Sequence, residues 1–81
     1  MPKIFEWKGY RFFFFSNEGD PLEHIHVHVR KGENIAKFWV VPEVYLASSW
    51  GMSPQELNML ENVVIAHKDQ IVEKWNEYFY S

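Results

Sequence analysis

His24-Ile25-His26-Val27-His28-Val29-Arg30 alternates without a break. Successive side chains on a strand point to opposite faces, so Ile25, Val27 and Val29 share one side. His24, His26, His28 and Arg30 share the other. One apolar and one polar face define a strand of a half-covered antiparallel sheet. The strand ends in Lys31-Gly32-Glu33-Asn34, a hairpin turn, and Ile35 to Val41 reads as its return partner. Pro42 ends that pairing.

Upstream, Tyr10-Arg11-Phe12-Phe13-Phe14-Phe15 is a second strand signal, with two of its four phenylalanines on each side. Ile4-Phe5-Glu6-Trp7 before it, with Lys8-Gly9 between, reads as a strand and a tight turn. Ser16-Asn17-Glu18-Gly19-Asp20-Pro21 is the clearest loop. Downstream, Val44-Tyr45-Leu46-Ala47 fits either a short strand or a single helical turn, and Ser48-Ser49-Trp50-Gly51 reads as a loop. Ser53-Pro54-Gln55-Glu56 starts a helix: Ser53 caps, Pro54 suits the first helical position, and Glu56 completes a capping box. Leu57, Leu60, Val64, His67, Ile71, Trp75 and Tyr78 then form one stripe at helical spacing, so the helix is expected to run to about Tyr78. The expected fold is α+β, a three- to four-stranded antiparallel sheet packed by one long C-terminal helix. Residues 1–81 are expected to form a single domain, for which 81 residues leave room and no more.

A chain this short buries only ~60–65% of the surface its unfolded form exposes, so self-association or a bound partner would help it. It has no cysteine, which excludes disulfides and thiolate metal sites and fits a reducing, cytoplasmic setting. Aromatic residues make up 19% of the chain, more than a small core needs, and the surplus favours an interface. The net charge of −3 is unevenly spread. Residues 1–40 carry six Lys/Arg against five Asp/Glu; residues 41–81 carry two against six. That is not the footprint of a dedicated nucleic-acid binder, although Arg11, Arg30, Lys31 and Lys37 can form a local patch on the sheet. No apolar run reaches the ~18 residues of a membrane span, and the first residues, with no long apolar run behind a basic start, do not lead one to expect a secretory leader.

The histidines carry the candidate chemistry. Neighbours at i and i+2 on one face stand ~6.6–6.8 Å apart, close enough for two imidazoles to share an ion at the ~2.0–2.1 Å typical of zinc. His24 and His26 are therefore candidate ligands for zinc or another divalent metal, with a third ligand from Asp20, Glu23 or His67. His24 and His28, ~13 Å apart, cannot share one ion on a regular strand. Alternatively His24 and His26 act as acid and base on an RNA phosphodiester, with Arg30 as the phosphate contact. Against both stands the polar face of a strand, or of an interface with a partner. His28 extends the histidine face. His67, on the helix stripe, is first a hydrogen-bonded core histidine; it joins His24 or His26 only if a strongly twisted sheet edge brings the two together. There is no phosphate-binding glycine loop, no Ser/His/Asp order and no zinc-finger spacing.

Met1-Pro2-Lys3-Ile4, Asn17-Glu18-Gly19-Asp20-Pro21, His24-Ile25-His26-Val27, Arg30-Lys31-Gly32, Ala36-Lys37-Phe38-Trp39 and Trp75-Asn76-Glu77-Tyr78-Phe79 together resemble the domain-of-unknown-function family 4160 (DUF4160) along nearly the whole chain. The family typically reads Pro-Pro-His-x-His-Val, and here Leu22 and Glu23 stand where its second proline is expected. His67 matches a histidine common in the family's helix. The resemblance implies a small, mostly bacterial protein of unestablished activity. It also implies a place in toxin–antitoxin-like gene pairs, often beside another small domain. The functional expectation is a protein-interaction component of such a pair, as a homodimer or with a small protein partner. The alternatives are a metal-independent ribonuclease-like toxin and a histidine-ligated metal protein.

Overall fold

A computed structural model of the chain describes residues 3–15 and 24–80. Strands β1 (Lys3–Trp7), β2 (Tyr10–Phe13), β3 (His26–Lys31), β4 (Asn34–Trp39) and β5 (Tyr45–Trp50) precede helices α1 (Pro54–Ala66) and α2 (Lys68–Tyr80). Each strand pairs antiparallel with its neighbour in the chain, giving a meander ordered β1-β2-β3-β4-β5. The α+β class is as expected; the sheet has five strands instead of three or four, and the helical region is two helices instead of one.

Each difference traces to particular residues. The β1–β2 turn is tight because Lys8 and Gly9 both adopt positive φ, 47° and 85°, the geometry that matches strand twist in a two-residue hairpin. Gly32, φ 63°, opens the equally short β3–β4 turn. At the other end, β5 runs on through Ser48, Ser49 and Trp50, the segment expected to be a loop. Gly51 at φ 84° turns the chain. Ser48 and Ser49, small and polar, suit an edge strand exposed along most of its length. The helix breaks at His67 (φ −108°, ψ 15°), whose N–H reaches back to Val63 and Val64 and whose ring Nδ1 bonds the Val63 carbonyl at 2.8 Å. The chain turns helical again at once, with Ile71 N–H on the His67 carbonyl at 3.0 Å. After the break the inward stripe is Ile71, Trp75 and Phe79; Tyr78, assigned to the stripe by unbroken spacing, is exposed.

The helices cover one face of the sheet. Phe12, Val27, Val29, Ala36 and Phe38 supply the sheet side of the core, and Leu60, Val63, Val64, Ile71 and Trp75 the helix side. Phe14 packs edge-on to Trp75, with ring centroids 5.1 Å apart. Val27 and Val29 thus face the helices as the alternation requires. Among the described residues no helix is long and apolar enough to cross a membrane.

Candidate functional site

The face turned away from the helices can be read row by row from the register. One row is Glu6, Arg11, Arg30, Ile35 and Trp50; the next is Lys3, Phe13, His28, Lys37 and Ser48; His26, Trp39 and Tyr45 form a third. Phe13 and Phe15 are the two rings of the phenylalanine run that point this way. They meet edge-on at 5.3 Å, and both contact the His28 ring, at 5.7 and 4.5 Å. These rings, with His28, Lys37 and Trp50, line a groove of about 240 Å³. Its lining is mostly apolar, with two serines on the β5 side and Arg30 and Lys37 as its cations. Lys37 Nζ lies 4.5 Å from the Trp39 ring centre, a cation–π contact. Among the described residues the open face carries Lys3, Arg11, Arg30 and Lys37 against Glu6, whereas the helices carry Lys68 and Lys74 against Glu56, Glu61, Asp69, Glu73 and Glu77. The chain is acidic as a whole, and its described residues are basic on this face.

The histidines do not behave as one solvated row. His24 is exposed, just before β3, and its ring lies 6.3 Å from Trp39. His26 is 0% exposed. Its ring is held among His28 at 5.2 Å, Trp39 at 5.5 Å and Trp75 of α2 at 5.2 Å. α2 overhangs the end of the strand where His26 sits, so a position on the polar side of the alternation is covered all the same. Its Nδ1 lies 2.8 Å from the His24 carbonyl oxygen. That oxygen only accepts, so Nδ1 carries the hydrogen and donates it. Arg30 is exposed on the same face, four residues along the strand, ~13 Å from His26 at Cα spacing.

His67 stacks on Phe5 at 4.3 Å, and Phe5 stacks on Phe12 at 4.4 Å, so His67 belongs to the helix side of the sheet. It precedes Trp75 by eight residues, ~12 Å along a helix, and the structure does not bring it to His24. Among the described residues no group of three or more His, Cys, Asp or Glu is placed to hold a metal ion. Asp20 and Glu23, the other candidate third ligands, lie outside the described residues.

One linkage escaped the sequence reading. The capping box forms as expected: Glu56 N–H donates to Ser53 Oγ at 3.1 Å, and Ser53 N–H to Glu56 Oε1 at 3.2 Å. The other carboxylate oxygen of Glu56 accepts from the buried Tyr10 hydroxyl at 2.5 Å, tying β2 to the start of α1. The Tyr10 hydrogen bond, then the Ser53 N–H, hold the Glu56 carboxyl below its ordinary range, with Lys31 adding attraction. The same bond, with burial, pushes the Tyr10 phenol up to about 12. Lys31 Nζ lies 4.7 Å over the Tyr10 ring. Two residues 46 apart in the chain give no local signal for this pairing. Trp50 was missed as a groove residue because Ser-Ser-Trp-Gly reads as a loop.

No characterised protein and no solved structure matches the chain. A family model does match, over residues 9–76, which takes in both groove phenylalanines, the histidine strand, the helix break and Trp75. The chain belongs to the family described as Domain of unknown function (DUF4160).

Proposed function

We propose that the protein is a binding module, a protein-interaction component of a toxin–antitoxin-like pair, and that the open sheet face is its contact surface. The observation that carries this reading is the groove of Phe13, Phe15, His28 and Trp50 set among cations on an otherwise acidic molecule. Aromatic rings and arginine dominate the energetic centres of interfaces, and opposite charge steers encounter. The partner this face suits is a small protein presenting an acidic segment with an apolar anchor. The burial of His26 suits the same reading, since a buried, hydrogen-bonded imidazole shapes a surface instead of reacting at it.

The test is co-expression with the product of the neighbouring gene, followed by calorimetric titration of the purified pair. Trp50→Ala is expected to weaken association by about 2 kcal/mol, some thirtyfold. Arg30→Glu is expected to weaken it further, whereas Glu73→Lys on α2 leaves it within twofold. Equal affinity in all four proteins would sink the reading.

The ribonuclease-like alternative retains one favourable observation: His28 lies in register with Lys37 and beside Arg30 on the open face. It requires metal-independent cleavage of single-stranded RNA by the wild-type chain, lost in the folded His24→Gln/His26→Gln variant. The metal alternative requires a native mass one zinc increment per chain above the polypeptide after chelator-free purification.

A further inference from the structure

The two edges of the sheet differ. β1 is irregular between Lys3 and Phe5 and carries an ion pair, Lys3 to Glu6 at 2.7 Å. Both edge pairings contain an irregularity, and charge is what separates them: charged side chains are a device that keeps an edge from pairing with another chain. β5, Tyr45-Leu46-Ala47-Ser48-Ser49-Trp50, has no charged side chain, yet its ends are two of the most exposed aromatics among the described residues, Tyr45 at 51% and Trp50 at 63%.

The strand is also matched to itself. Tyr45 and Trp50 are five residues apart and on a regular strand would face opposite sides. The pairing shifts between Lys37 and Phe38, so that β5 holds one extra residue. Tyr45 consequently stands opposite Trp39 and Trp50 opposite Ile35, both on the open face. Reversed, the strand reads as aromatic, small or apolar residues, aromatic, with the aromatics again on that face.

We propose that β5 pairs antiparallel with β5 of a second copy, about a two-fold axis between Ala47 and Ser48. Tyr45 then lies opposite the second copy's Trp50, Leu46 opposite its Ser49, and Ala47 opposite its Ser48. The Tyr45–Trp50 match lies on the open face and the Leu46–Ser49 match on the helix face, and each end gains an aromatic cross-strand pair. A stable dimer buries ~1,200–2,000 Å² in total, more than a bare six-residue edge supplies. Both flanks of this edge contribute. On the open side Ser48 and Trp50 stand in one wall of the groove. On the helix side Leu46, Pro54 and Leu57 line an apolar hollow, with Glu61 its single charge. The second copy closes the hollow and sets its own Tyr45 beside Trp50, so the groove is completed by the partner and the two grooves lie side by side on a continuous ten-stranded face. The inference is independent of which protein the open face binds.

Light scattering of the untagged full chain tests it, with the expected result twice the chain mass. Ala47→Lys places two ammonium groups about the axis without touching the groove, and should give the single-chain mass with an unchanged circular-dichroism spectrum. The absence of native cysteine allows a second measurement. An equal mixture of Ala47→Cys and Ser48→Cys chains should form a mixed disulfide under mild oxidation, whereas Lys3→Cys chains should not cross-link. A wild-type mass other than two chains, a dimer that survives Ala47→Lys, or cross-linking through position 3 as readily as through 47 and 48, would each overturn it.

Discussion

His26 donates its Nδ1 hydrogen to the carbonyl of His24 and is closed in by Trp39 and Trp75. Replacing it by alanine removes a buried ring and leaves that carbonyl unpaired, so His26→Ala should cost about 1–3 kcal/mol of unfolding free energy in urea titration. His24→Gln, at an exposed position, should stay within about 0.5 kcal/mol. Equal losses at both positions would mean that His26 is not held as described. The alternation marked His26 as polar-side and therefore solvated. Period 2 reports the side of a sheet, not what arrives there from another element, and Trp75 arrives from 49 residues away.

The Tyr10–Glu56 bond gives two pH effects of opposite sense. The Glu56 carboxyl titrates lower in the folded than in the unfolded chain, so its contribution is present above the ordinary carboxylate value of 4.5 and is lost as pH falls through the depressed folded value. The Tyr10 phenol is raised, so its contribution is complete below its ordinary value of 10 and is lost as pH rises to about 12. Melting temperatures of Tyr10→Phe should therefore fall less steeply than those of the wild type both below pH 4.5 and between pH 10 and 12. Parallel curves at both ends would show that the hydroxyl and the carboxylate are not coupled.

At the scale of elements, α1 is held at its start by the capping box, and the sequence announced this one position at a time. Ser53→Ala should cost about 1 kcal/mol, read as a lower midpoint with unchanged denaturant slope. The strand that follows the turn at Gly32 was legible for the same reason, since glycine and the alternation are local signals. The second half of β5 and the helix break were not. Both depend on distant partners: Ser48 and Ser49 become strand by pairing with Lys37 and Ala36, and His67 leaves helical geometry while its ring stacks on Phe5. Gly51, which ends β5, cannot be replaced without cost. An added Cβ would overlap the Asn34 side-chain oxygen, and the residue would sit at φ 84°. Gly51→Ala should lose about 1–2 kcal/mol, and a neutral outcome would place the turn elsewhere.

For the whole molecule, what matters is how charge is distributed between the two layers. Among the described residues the helices are acidic and the open face of the sheet is basic, an electrostatic direction that the net charge of −3 conceals. The candidate site was half legible in the same way: the cations and the paired phenylalanines were visible as residues, but their meeting with Trp50 required the register. Exposed charges are screened beyond a Debye length of ~10 Å at 0.1 M salt, whereas ring contacts in the groove are not. Raising the salt should therefore slow association with the acidic partner proposed above and leave dissociation nearly unchanged. Lys37→Glu should flatten that salt dependence by removing a groove cation and adding a repulsive charge, and Trp50→Ala should leave the slope intact while speeding dissociation. Stopped-flow kinetics at several salt concentrations reads both quantities. If Lys37→Glu and Trp50→Ala altered the same rate constant with the same salt slope, the cation and the ring would not have the separate roles assigned to them.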